Sequence, residues 1–185
     1  MKALFYLLLI GLMYSCSTGE NKAQSSEAVQ AETTVDAVTL KKEIDDLEAF
    51  FKGNSNKPLN KAKATQFIDK SKQYVASFPD EEMSPAFLFR AGEVARAIKD
   101  YQASILMMDQ VYNKYPDHEK APSALFLKAF TYEENLNDTE SAKKYYNEFL
   151  QRFPEHDLAK QVEQLLGVID QSPEDLIKSF QKKNQ

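Results

Sequence analysis

One short phrase occurs three times in this chain, and its spacing limits the folds available. It reads Tyr74-Val-Ala-Ser-Phe78-Pro79-Asp80, then Val111-Tyr-Asn-Lys-Tyr115-Pro116-Asp117-His118, then Phe149-Leu-Gln-Arg-Phe153-Pro154-Glu155-His156. The prolines lie 37 and 38 residues apart. A recurrence of this length is the mark of stacked structural repeats. Proline cannot continue a helix, so each phrase reads as the end of one helix and the turn into the next. With 5 Gly and no Trp in 185 residues, and many Lys, Glu, Gln, Ala and Leu, the repeating unit is helical.

Shifted by 38, the two later copies superimpose well beyond the phrase. Ala86-Phe-Leu-Phe-Arg-Ala91 lies over Ala124-Leu-Phe-Leu-Lys-Ala129, and Asp100 lies over Asp138. Each unit reads as a helix, a short turn whose Asp caps the second helix, and a Pro-acid turn. Small residues at 91, 92, 95, 104, 129 and 142 allow close helix approach, while Leu88, Met108, Val111, Phe126, Tyr146 and Phe149 fill the core.

These positions resemble the tetratricopeptide repeat. In the second unit Leu88, Ala91, Gly92, Ala95, Ser104, Met108, Val111 and Pro116 fall at that family's spacing. In the third, Phe126, Ala129, Ala142, Tyr146, Phe149 and Pro154 follow. There Phe130 replaces the glycine, which leaves the register of that helix open by one residue. In the first unit Phe67 stands where a small residue is usual. The expected fold is all-α, a helical-hairpin solenoid over 38–182 with repeats at about 40–79, 84–116 and 122–154. A capping helix pair at 157–182 covers the last apolar face.

Local signals place the helix ends. Leu40, Ile44, Leu47 and Phe51 form one helical stripe, with Thr39 as cap and Gly53 as the residue just past the end. Asn60 is suited to cap the next helix, and Asp157 the first helix of the capping pair. Ser172-Pro173-Glu174-Asp175 reads as the start of the second.

The first residues carry a different signal. Met1-Lys2 precedes an apolar run of about 11 residues, the layout of a secretory signal and well short of the ~20 residues of a spanning helix. Leu12-Met13-Tyr14-Ser15-Cys16 resembles a bacterial lipobox, and Cys16 is the one thiol in the chain. The resemblance implies a signal peptide at 1–15, lipidation of Cys16, and a membrane anchor. Residues 16–37 are polar and poor in apolar side chains, so they read as a disordered tether. Ser17 is not Asp, which by the sorting rule of such lipoproteins implies the outer membrane, facing the periplasm.

No reactive constellation accompanies this. His118 and His156 occupy equivalent turns of separate repeats, so they read as turn residues, not as one site. Glycine-rich phosphate loops, Cys/His metal clusters and Gly-x-Ser-x-Gly elbows are absent from the sequence. The net charge of −5 offers no footprint for nucleic acid. No cofactor, metal or catalytic residue is expected, and the chain reads as a non-enzyme.

The resemblance implies instead a peptide-binding inner face on the first helix of each repeat. Carried over, its residues are Ala86, Phe89, Glu93 and Arg96, then Ala124, Leu127, Thr131 and Glu134. Phe89 and Leu127 are expected as apolar contacts, and Glu93, Arg96 and Glu134 as charge selectors. The plainer reading makes Phe89 and Leu127 packing residues. The expected function is protein binding in the cell envelope, resembling the repeat lipoprotein of the outer-membrane β-barrel assembly machinery and the Tol–Pal-associated repeat protein. The alternatives are a surface-exposed lipoprotein and a small-ligand binder aiding nutrient capture.

Overall fold

The structure, a computed structural model, describes residues 36–169 together with 171 and 174. Cys16, the signal and nearly all of the tether lie outside the described residues, as does most of the second capping helix. Among the described residues every regular element is an α-helix. They are α1 (Ala37–Gly53), α2 (Lys61–Ser77), α3 (Ser84–Ala97), α4 (Tyr101–Lys114), α5 (Ala121–Leu136), α6 (Thr139–Arg152) and α7 (Ala159–Val168). Each helix packs on the next along the chain. All belong to one compact unit, 34–185. Its core runs unbroken from Leu40 to Val162.

The starts of the second helices follow the sequence. Asn60 accepts from the Lys63 amide at 3.0 Å, Asp100 from Ala103 at 3.1 Å and Asp138 from Ser141 at 3.0 Å. The first helix departs from expectation. Its cap is Asp36, not Thr39. The Asp36 carboxylate accepts from the Val38 and Thr39 amides and from the Thr39 hydroxyl. A carboxylate three residues upstream is the stronger acceptor for these free amides, so the helix includes Ala37, which the tether reading left outside. Gly53 is the last helical residue, not the residue beyond it, and no described glycine has positive φ.

The three proline turns share one hydrogen-bond pattern. Phe78, Tyr115 and Phe153 carbonyls accept from the amides of Glu81, His118 and His156, at 3.1–3.2 Å. The carbonyls of those three residues then accept from Ser84, Ala121 and Ala159, which open the next helices. The helices so begun have no side-chain cap of their own. In two of the turns a histidine supplies the missing acceptor. His118 Nδ1 accepts from the Lys120 amide and His156 Nδ1 from the Leu158 amide, each at 3.1 Å. The expected Asp157 cap is therefore replaced by Leu158 as the cap residue, with His156 behind it. Both histidines are turn residues, as their equivalent positions implied.

The register question in the third repeat resolves at a shift of 37 through the first helix. Pro85 and Pro122 are each the second residue of their helix. Fully buried Leu88 and Leu125 match, and Gly92 matches Ala129. The extra residue is absorbed at the end of α5, which is 16 residues long against 14 for α3. The Asp100 amide bonds to Ala95 O, five residues back, whereas the Asp138 amide reaches Tyr132 O, six back. Phe130 is thus not the glycine equivalent. Gly92 itself sits at a close approach. A Cβ there would lie 2.7 Å from Met108 Cε. In the first repeat Phe67 is fully buried and meets Phe51 edge to face at 5.9 Å, an aromatic pair in place of small residues.

Candidate functional site: the face of the first helices

The candidate surface is the face made by α1, α3 and α5. On α3, Ala86, Glu93 and Arg96 are half-buried and Phe89 is 9% exposed. On α5 the expected set shifts. Ala124 and Thr131 are 0% exposed and cannot meet a partner. Leu127 is half-buried and Glu134 exposed. The cause is the 37-residue register. The α5 counterparts of the α3 residues lie one position earlier, at Ser123, Phe126, Phe130 and Glu133, and all four are half-buried.

These side chains meet across the two helices. The Arg96 guanidinium carbon lies 5.8 Å from the Phe130 ring centre. Phe130 stacks on Phe126 at 5.9 Å, with the ring planes 19° apart. The Lys120 ammonium lies 5.9 Å over Phe89. Glu133 accepts from the Tyr146 hydroxyl at 2.6 Å. Burial, reinforced by that carboxylate, pushes the Tyr146 phenol far above its ordinary range. Arg90 pairs with Glu93 at 3.2 Å on its own helix and with Glu48 at 3.7 Å on α1. Between α1 and α3 a cavity of about 270 Å³ opens, with Ala86, Phe87 and Phe89 on its floor and Asp45, Glu48 and Lys120 at its rim.

The result is a short strip, the stacked half-buried rings of Phe126 and Phe130, with charges of both signs beside it. Such a strip can hold an extended segment by apolar contact while the charges select it. Among the described residues no group of three or more His, Cys, Asp or Glu is placed to hold a metal ion.

A second polar centre surrounds Lys128. Its side chain is buried between the second and third repeats. The ammonium lies 3.7 Å from the Tyr145 ring centre and 5.2 Å from that of Tyr112, and it is hydrogen-bonded to Asp109. Burial alone would lower the Lys128 pKa, but the bonds to Asp109 and Tyr145 outweigh it and hold the pKa above its usual value. Burial likewise opposes ionisation of Asp109, and Lys128 with the Tyr112 hydroxyl reverses that, so its carboxyl lies below the usual range. At a shift of 37 Lys128 stands where Ala91 does, a buried small position, and the matched prolines at 85 and 122 are the signal that would have exposed it.

A family model for the tetratricopeptide repeat matches residues 86–118 and 123–156. Its two copies start 37 residues apart and end 38 apart, the same one-residue insertion that lengthens α5. The match falls on the pairs α3–α4 and α5–α6, and α1–α2 precedes them as a further helix pair. No curated protein matches the chain. Repeats of this class mediate protein–protein contacts.

Proposed function

We propose that this chain is a non-catalytic scaffold of a bacterial envelope, moored through lipidated Cys16 to the outer membrane on its periplasmic side, whose first-helix face holds a protein or peptide partner. The observation that carries the reading is the stacked pair Phe126 and Phe130 with the Arg96 guanidinium over Phe130. These two rings are half-buried, whereas Phe89 belongs to the core. Within this reading the domain serves outer-membrane or envelope assembly, in the manner of the repeat lipoproteins it resembles. The tether holds it within a short reach of the membrane.

The test is capture from crosslinked envelopes. Ala86→Arg with Ser123→Arg places two bulky charges on half-buried small positions without deleting any core side chain. Wild type should recover a specific protein that the double variant does not. Equal recovery by both would refute the site. Separately, Cys16→Ala should release the protein from membranes, and continued retention would count against the anchor.

A further inference from the structure

The turn from α1 to α2 carries charge against the trend of the chain. Residues 49–68 hold Lys52, Lys57, Lys61 and Lys63 and no acid, in a protein of net charge −5. Lys52, Lys57 and Lys61 are exposed. Among the described ion pairs none includes Lys57, Lys61 or Lys63. Lys57 donates to Asn54 Oδ1 at 3.0 Å, and Lys63 lies over the Phe50 ring at 5.9 Å. Beside them Leu59 is 41% exposed. A cavity of about 520 Å³ opens here, walled by Phe50, Phe51, Pro58, Leu59 and Ala97. Ala97 brings in the turn from α3 to α4, where Lys99 is also exposed. The opposite turns, those that enter α3, α5 and α7, are rich in acid: Asp80, Glu81, Glu82, Asp117, Glu155 and Asp157.

We infer that the α1–α2 edge docks on an anionic bilayer surface. The charge complementarity is local to the first helix pair. The α1–α2 turn, basic and with an exposed leucine, faces the headgroups, while Asp100 and Asp138 at the later turns of the same end keep those turns off the surface, which tilts the stack onto its first hairpin. A local peptide site would need only the cavity, not this contrast of charge. The inference does not depend on the Cys16 anchor or on partner binding. Near an anionic surface each lysine contributes roughly fivefold in partitioning, so three contribute on the order of a hundredfold.

The test uses the chain from Ser17 onward, which lacks the thiol and the apolar leader yet keeps the whole core, since the core lies between Leu40 and Val162. It is sedimented with vesicles of phosphatidylglycerol and phosphatidylethanolamine, or of phosphatidylcholine alone. Binding to the anionic vesicles only, weakened by added salt, is expected. Lys57→Glu, Lys61→Glu and Lys63→Glu together should reduce it by more than about a hundredfold, since each reversal also adds a repelled charge, and Leu59→Ser several-fold. A control triple with the same net charge, Lys72→Glu, Lys114→Glu and Lys160→Glu, should leave most of it. All six lysines lie at or near the surface, and circular dichroism should show each variant folded. Absence of vesicle binding, equal loss in both triples, or capture of an acidic protein without vesicle binding would each overturn the inference.

Discussion

Lys128 and Asp109 form a pair whose two halves should fail unequally. The Lys128 side chain is 4% exposed and that of Asp109 40%. Replacing Lys128 by Met keeps the aliphatic stem in place and leaves Asp109 free to hydrate. The expected cost is about 0–1 kcal/mol, because exchanging a buried ion for an apolar side chain of similar volume is often near neutral. Replacing Asp109 by Ala leaves an ammonium in the interior without its counter-charge. Breaking a buried pair in that way costs about 3–5 kcal/mol. The tyrosine rings of 112 and 145 offset about 2 kcal/mol of this by cation–π attraction, so the net cost should be roughly 1–3 kcal/mol. At about 3 °C per kcal/mol for a domain of this size, Asp109→Ala should melt about 3–9 °C low.

The double variant Lys128→Met, Asp109→Ala should be more stable than Asp109→Ala alone, since removing the stranded charge relieves it. Urea unfolding followed by circular dichroism gives all three values. The reasoning is refuted if Lys128→Met costs as much as Asp109→Ala, or if the double variant is the sum of the singles. The pH dependence has a fixed sign. The folded Asp109 pKa is depressed, so its contribution is present above the unfolded value of ~3.9 and is lost as pH falls through the lower folded value. The folded Lys128 pKa is raised, so its contribution is present below ~10.4 and is lost as pH rises through the higher folded value. The gap between wild type and Asp109→Ala should be flat near neutrality and narrow in strong acid.

Other expectations rest on single contacts. Lys99 is held at φ 67° just before the Asp100 cap. Lys99→Gly should therefore stabilise the domain by up to ~1 kcal/mol, read from its melting temperature, because an L-residue pays about 1–2 kcal/mol in that region. Gly92→Ala needs only the flexible tip of Met108 to move. It should stay within ~1 kcal/mol of wild type, helped by the better helix propensity of Ala, whereas Gly92→Leu should lose ~1–3 kcal/mol by overpacking. Removing the ring of His156 by Ala deletes its bond to the Leu158 amide and its edge contact with Phe149. Thermal unfolding should show a loss of about 1 kcal/mol, and no change would argue against a capping role for the histidine.

Among the described residues the helices and their turns were legible because proline and the capping residues act locally. Pro79, Pro116 and Pro154 end helices wherever they stand, and Asn60, Asp100 and Asp138 cap the helices that follow them. The single-residue insertion was not legible from core patterning. Ala124-Leu-Phe-Leu-Lys-Ala129 fits the Ala86–Ala91 pattern at 38 and places its apolar residues plausibly, yet burial follows 37. One residue turns a helix by about 100°, so Ala124 and Thr131 rotated inward and Ser123, Phe126, Phe130 and Glu133 took their place. The insertion is absorbed where α5 ends, in the left-handed Asn137 and the long bond from Asp138 to Tyr132, and its sign in the sequence is the 37-residue spacing of Pro85 and Pro122. Lys128 was missed for the same reason. A lysine buried by tertiary contacts to Asp109, Tyr112 and Tyr145 looks like any surface lysine until the register is known.

Whether the first-helix face holds a protein partner can be read by crosslinking from defined positions. A photoreactive residue at Ala86 or Phe130 lies on that face, whereas one at Leu106 or Lys72 lies on the exposed side of a second helix. Irradiated envelopes should yield the same protein adduct from 86 and 130 and none from 106 or 72. An adduct formed equally from all four positions, or from the second-helix positions alone, would contradict it.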